Sequence, residues 1–147
     1  MKIFIDGSAG TTGLRIKDRL MKRSDVELTT LSEEQRKDTE SRKQALNSAQ
    51  VAFLCLPDAA AVEAVELVEN PDTVIIDTST AHRTSEGWAY GFPELSAEFE
   101  DKIKNSKRIA VPGCHAGGFI ALVYPLVEAG VLGNDALLNC YSLTGYR

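Results

Sequence analysis

Short apolar, β-branched runs alternate along this chain with longer amphipathic runs, and the first apolar run ends in a glycine-rich turn. The apolar runs fall at residues 3–6, 26–31, 51–56, 74–77 and 107–111. Helical spacing marks residues 12–22, 58–69 and 96–105 and the segment after Cys114, and the charged stretch 32–47 is helical in part. The apolar runs are nearly continuous, as in strands of a parallel sheet covered on both faces. A last apolar run, 136–143, reads as one more strand, and Asp58 reads as the cap of the 58–69 helix. No repeat or low-complexity linker interrupts the pattern. Residues 78–95 form a long irregular segment with Gly87, Gly91 and Pro93, of the kind that carries function in a compact domain.

The first run leads into Gly7-Ser8-Ala9-Gly10-Thr11-Thr12-Gly13, a G-x-x-G-x-x-G turn between a strand and a helix. Glycines there permit a tight turn and a close approach of backbone to a pyrophosphate, and the next helix aims its N-terminus at the phosphates. The alternative is a tight turn that binds nothing. Together with the alternation, the turn predicts a Rossmann-like, doubly wound α/β fold with a mostly parallel sheet and helices on both faces.

Ligands of such sheets lie beyond the carboxyl ends of the strands. The second strand ends without an acid at its tip, and Glu33 and Glu34 come late. Ser32, Arg36 and Lys37 are placed to receive a 2′-phosphate, which favours NADP over NAD; the plainer reading of Arg36 and Lys37 is a solvated helix face. The third strand ends in Cys55-Leu56-Pro57, which should border the cofactor, with the Cys55 thiol itself in the core. Cys140, inside an apolar run, reads as core in the same way. The fourth strand ends in Asp77-Thr78-Ser79-Thr80-Ala81-His82-Arg83. Ser79, His82 and Arg83 are the candidate substrate contacts on this edge, with Thr80 beside them. Arg83 suits a carboxylate or phosphate, and His82 suits a structural turn better than a general base.

Cys114 follows Pro112-Gly113 after the fifth apolar run and precedes a helical one. A thiol at a helix N-terminus meets the macrodipole and free backbone N–H groups, which favour a thiolate nucleophile and hold an oxyanion. On position alone, a buried inert cysteine is an equal reading. His115 adjoins Cys114, but neighbours on a helix point about 100° apart, so adjacency does not make it the base.

The chain has 147 residues, enough for one domain with a sizeable core. With 44% hydrophobic and 25% charged residues its composition is that of a soluble globular protein. The net charge of −5 is spread over helical stretches, and no basic patch calls for a nucleic-acid partner. No apolar run approaches the roughly 18 residues of a membrane span, and the N-terminus lacks the apolar core of a signal peptide. Three cysteines without metal-ligand spacing exclude a cysteine metal cluster and point to a reducing, cytoplasmic setting.

Five motifs in order carry a resemblance: Gly-Ser-Ala-Gly-Thr-Thr-Gly at 7–13, Cys-Leu-Pro-Asp at 55–58, Asp-Thr-Ser-Thr-Ala-His-Arg at 77–83, Tyr-Gly-Phe-Pro-Glu-Leu at 90–95 and Pro-Gly-Cys at 112–114. Together they resemble N-acetyl-gamma-glutamyl-phosphate reductase in its shorter bacterial form, over essentially the whole chain. The resemblance implies NADPH-dependent reduction of an acyl phosphate to a semialdehyde in arginine biosynthesis. It implies that Cys114 attacks the acyl phosphate, releases phosphate and carries a thioester that takes the hydride. It also implies a homo-oligomeric full-length enzyme.

Two departures stand out. Where the family more usually has Tyr after the cysteine, this chain has His115. Family members also run well beyond this length, with a second domain that supplies substrate contacts and a catalytic histidine. The expected division is therefore an NADP-binding, nucleophile-bearing domain at 1–133 and the first strand of a substrate and dimerisation domain at 134–147. Only His82 and His115 are at hand as imidazole bases, so no steady-state turnover is expected from these residues alone. An unpaired apolar edge over 136–143 should associate with another copy. The competing readings are a non-catalytic NADP-binding module with an ordinary thiol, and aspartate-semialdehyde dehydrogenase. The latter shares the Gly-rich start and a cysteine nucleophile, but the Pro-Gly-Cys and Tyr-Gly-Phe-Pro-Glu runs fit it poorly.

Overall fold

The computed structural model describes residues 1–143 and Gly145. Six parallel strands form one sheet: β1 (Lys2–Asp6), β2 (Glu27–Thr29), β3 (Val51–Leu54), β4 (Val74–Asp77), β5 (Ala89–Tyr90) and β6 (Arg108–Ala110), in the order β2-β1-β3-β4-β6-β5. Five helices accompany them: α1 (Thr11–Leu20), α2 (Thr39–Ser48), α3 (Asp58–Glu66), α4 (Ala97–Asn105) and α5 (Cys114–Glu128). The chain leaves β1 for β2 on one side and then returns to β3 on the other. Right-handed crossovers therefore put α1 on one face of the sheet and α2 and α3 on the other, and the winding reverses between β1 and β3. The Rossmann-like expectation holds.

The core lies under α2 and α3. Phe4, Ala52, Leu54 and Ile75 pack there against Ala45, Leu46, Ala49 and Ala64. The alanines let the helices sit close on the sheet. The opposite face is less covered: Val51, Phe53, Val74 and Ile76 are only half-buried. The strands are apolar on both faces, as expected, yet their burial is unequal.

Local chemistry sets the helix ends. The Asp38 carboxylate accepts from Ser41 N and starts α2 later than the charge pattern suggested. Just before it, Ser32 and Gln35 cap one another reciprocally and hold a 3-10 turn at Gln35–Lys37. Asp58 is not the cap of α3. Pro57 takes that place with extended backbone, and Asp58 is the first helical residue, its carboxylate engaged by Thr80. The same helix stops short of residue 69 because the Asn47 side chain takes the N–H groups of Glu69 and Asn70 and donates to the Leu67 carbonyl.

The C-terminal part differs most from expectation. Residues 136–143 hold no strand and are exposed, and Cys140 is exposed with them rather than in a core. A parallel strand needs a neighbour for its ladder, and none of the six offers one to this segment. Thr144, Tyr146 and Arg147, the end of the expected 134–147 unit, lie outside the described residues. The two-residue β5 carries too short a signal to be read in sequence. α5 buries none of its residues. It meets the body through Tyr124, edge-on to Phe99 at 6.5 Å, and through the turn at Pro93–Leu95.

Candidate active site

Because every strand runs the same way, the turns after β1, β2, β3, β4 and β6 share one edge of the sheet. The turn after β1 lies at the reversal point. Gly7 has φ +82°, and a Cβ there would stand 2.2 Å from the Cys55 carbonyl oxygen. Gly13 approaches just as closely: its Cβ would lie 2.4 Å from the Gly7 carbonyl oxygen. These two glycines let the β1–α1 turn fold flat against the end of β3. Gly10 caps α1 with no side-chain acceptor, and a Cβ on it would meet only the Gly7 oxygen, at 3.5 Å. The first N–H groups of α1, on Thr11, Thr12 and Gly13, have no acceptor among the described residues. An open, N–H-lined helix start of this kind fits a pyrophosphate.

Asp6 and Arg42, which sequence reasoning missed, hold this turn in place. Asp6 ends β1 and is buried; Arg42 Nε and Nη2 donate to its Oδ2 at 3.1 and 3.0 Å. The third guanidinium nitrogen reaches Glu63 of α3 at 3.3 Å. The only trace in the sequence is an acid at the tip of an otherwise apolar strand. Its partner lies 36 residues away.

At the tip of β2, Ser32 is spent partly on its cap, Arg36 faces Glu33 at a loose 3.8 Å, and Lys37 is exposed. After β3, Cys55 is half-buried and its N–H bonds to the Asp6 carbonyl at 2.8 Å. Burial pushes its thiol up, against a smaller opposing effect from the Thr78 hydroxyl, so Cys55 stays protonated and unreactive. Leu56 packs beside Gly7, and Pro57 is exposed.

The turn after β4 is built around the fully buried Asp77. Its carboxylate accepts from Ser79 N at 2.9 Å, Ser79 Oγ at 2.6 Å and His82 Nδ1 at 2.7 Å. The His82 ring stacks on Trp88, with centroids 4.1 Å apart and planes within 11°. Ser79 and His82, expected as substrate contacts, are therefore turned inward and buried; Asp77 draws both polar groups under the loop. Thr80 faces outward. Its N–H and hydroxyl bond the Asp58 carboxylate, and that pairing holds Asp58 below the usual carboxylate range.

Arg83 leaves the same loop toward the turn that precedes Cys114. Its Nε donates to the Val111 carbonyl at 3.0 Å and its Nη2 to the Thr78 carbonyl at 3.3 Å. Nη1 lies against Gly113, where a Cβ would come within 2.6 Å of it. Nη1 has no hydrogen-bond acceptor among the described residues. Cys114 is the first residue of α5 and is exposed. Gly113 caps that helix without a side-chain acceptor, and the first bond of the helix runs from Gly117 N to the Gly113 carbonyl. The N–H groups of Cys114, His115 and Ala116 thus have no acceptor among the described residues. His115 turns to Ser142, pairing Nδ1 with its hydroxyl.

The structure thus brings the glycine turn, Cys55-Leu56-Pro57, Arg83 and Cys114 to one edge and sets Ser79 and His82 beneath it. No cluster of metal-ligating side chains occurs among the described residues, and none of their helices is long and apolar enough to cross a membrane.

A parallel, doubly wound sheet with a glycine-rich turn at its reversal point defines a domain of the Rossmann-like, dinucleotide-binding class. Residues 2–105 match the family described as "Semialdehyde dehydrogenase, NAD binding domain", and the chain belongs to that family. The motif-based resemblance also holds in individual relatives. The chain is 52% identical to N-acetyl-gamma-glutamyl-phosphate reductase 2 of Pseudomonas putida, over 98% of its own length and 46% of that protein. It is 52% identical to N-acetyl-gamma-glutamyl-phosphate reductase of a Chelativorans species, over 99% of its length and 47% of that protein. It spans about half the length of the relatives it matches. Among solved structures, aspartate semialdehyde dehydrogenase of Francisella tularensis shares the fold with a TM-score of 0.66 at 17% identity, over 88% of this chain and 41% of that one. The NADP complex of the Candida albicans enzyme does so with a TM-score of 0.61 at 19% identity, over 86% and 46%.

Proposed function

We propose that this chain is the cofactor-binding, nucleophile-bearing part of an N-acetyl-gamma-glutamyl-phosphate reductase that uses NADPH. The observation that carries the proposal is the site at the head of α5. An exposed Cys114 stands there, and the backbone N–H groups of Cys114, His115 and Ala116 have no acceptor among the described residues, with the Arg83 guanidinium against the preceding Gly113. The 52% identity to relatives of that name supports the substrate class.

In this reading, Arg83 Nη1 receives the phosphate end of an acyl phosphate and orients its carbonyl carbon toward Cys114. The Cys114 sulfur, its proton passed to water, forms a bond to that carbon. The carbonyl electron pair moves onto oxygen, where the N–H groups of α5 hold it. The C–O bond to phosphate then breaks, phosphate leaves with the electron pair, and Cys114 carries a thioester. NADPH, held by the β1–α1 turn, would supply the hydride that reduces the thioester carbon. The C–S bond then breaks, the sulfur keeps its electron pair, and Cys114 is recovered as the semialdehyde departs.

The N–H groups of Thr11, Thr12 and Gly13, with Ser8, Ala9 and open Gly10 around them, would hold the pyrophosphate. Cys55, Leu56 and Pro57 would border the nicotinamide half, and Ser32, Arg36 and Lys37 would take the 2′-phosphate. The loose Arg36–Glu33 contact leaves that guanidinium free to turn to a phosphate. The rest of the proposal is a cytoplasmic enzyme whose three cysteines stay free thiols and whose full-length form is a homo-oligomer.

Titrating the chain with NADPH and NADH, followed by nucleotide fluorescence, tests the cofactor half. NADPH should bind about tenfold more tightly, since one charge-assisted phosphate contact is worth roughly 1.4 kcal/mol or more. Arg36→Glu should erase that preference, and Cys114→Ser should leave it intact. Equal binding of the two nucleotides would reject the 2′-phosphate assignment.

A further inference from the structure

We infer that His82 is a positioning residue that sets Arg83 against the nucleophile turn, a role that rests on the reading of Cys114 and Arg83 proposed above. Asp77 is the hinge of this arrangement. Its side chain accepts His82 Nδ1 at 2.7 Å and Ser79 Oγ at 2.6 Å, and its main-chain carbonyl accepts Val111 N at 2.8 Å. One residue thus holds both the loop after β4 and the strand end from which Pro112-Gly113-Cys114 departs.

A carboxylate only accepts, so Nδ1 of His82 carries the proton and donates it. Donation to Asp77 at one side of the imidazole and stacking on Trp88 across its face leave the ring a single orientation. His82 is buried, so this orientation is enforced by packing as well as by the hydrogen bond. Arg83 is the next residue, and its direction follows from that anchor. Anchored, it spans the carbonyls of Val111 and Thr78 and rests on Gly113, one residue before Cys114. Without the anchor, the guanidinium keeps its charge but loses its fixed place against Gly113, the residue before Cys114.

The test compares the iodoacetamide rate of Cys114 with that of Cys140, read peptide by peptide in the same 147-residue chain. Cys140 is also exposed and stands outside the described helices and strands, so it is the reference for reagent reactivity, while labelling of the half-buried Cys55 reports any general loosening. His82→Phe keeps a ring for Trp88 and removes the donor to Asp77. His82→Asn keeps a donor at the Nδ1 position and removes the ring.

Arg83→Gln should slow Cys114 by about five- to tenfold, and His82→Phe should slow it by a similar factor. The double variant should be no slower than Arg83→Gln alone, because both changes remove the same placed charge. His82→Asn should restore the rate to within about twofold, and Cys140 should not change in any variant. Slowing in Arg83→Gln with an unchanged rate in His82→Phe, or multiplying effects in the double variant, would overturn the positioning role and leave the proposed site standing. An unchanged rate in Arg83→Gln would overturn both. Should His82→Phe not fold, His82→Leu, which also removes the donor to Asp77, takes its place: a five- to tenfold loss supports the role and an unchanged rate overturns it.

Discussion

Gly7→Ala is expected to cost the domain more than about 3 kcal/mol and to abolish dinucleotide binding. A φ of +82° costs an L-residue roughly 1–2 kcal/mol by itself. The larger cost is steric. The new Cβ would stand 2.2 Å from the Cys55 carbonyl oxygen, which is backbone at the end of a central strand and has no rotamer to retreat into. Domain stabilities run to about 5–15 kcal/mol, so the loss is a large share of the whole. Urea unfolding followed by far-UV circular dichroism should show the midpoint fall steeply or the transition vanish. Gly10→Ala is the control. Its φ is −75° and its Cβ meets one atom at 3.5 Å, so its stability should stay within about 1 kcal/mol of the parent. Equal losses at the two positions would contradict the account of the turn.

Arg42→Leu should be nearly as damaging, at about 3–5 kcal/mol, because it strands the buried Asp6 carboxylate without its partner. Both side chains are almost enclosed, at 11% and 5% exposure, so water does not replace the lost contacts. The Glu63 arm of the same arginine is exposed and contributes little. Replacing both members, in an Asp6→Leu/Arg42→Leu chain, should recover most of the loss, since an apolar pair of similar volume has no charge to desolvate. A single variant as stable as the parent would show that the pair does not hold the turn.

The sheet was legible because its signals are local. Ile3 to Asp6, Val51 to Leu54 and Val74 to Asp77 each carry their own apolar run, and the glycine spacing after β1 announces the turn without help from elsewhere. The position of Cys114 at a helix start was legible for the same reason, since Pro112 and Gly113 end one element and the apolar run after Cys114 begins another. What could not be read depends on partners far along the chain. Arg42 finds Asp6 across 36 residues, and Asp58 leaves its capping role for Thr80 across 22. Ser79 and His82 look like exposed polar loop residues until Asp77 draws them under the loop. Residues 136–143 have the composition of a strand but no neighbour in this sheet to pair with. Composition proposes a strand, and only a partner makes one.

The claim at the centre of this account is that Cys114 accepts an acyl group from an acyl phosphate. Acetyl phosphate tests it without requiring the rest of a substrate: the thiol takes the acetyl group, the C–O bond to phosphate breaks, and one phosphate is released for each thioester formed. Peptide mass spectrometry after incubation, with phosphate measured alongside, should place the acetyl group on Cys114 in step with phosphate release. Cys55 and Cys140 should stay unmodified, and Arg83→Gln should slow the labelling. Acetylation spread equally over the exposed cysteines Cys114 and Cys140, or absent from Cys114 while phosphate is released at its spontaneous rate, would contradict the account.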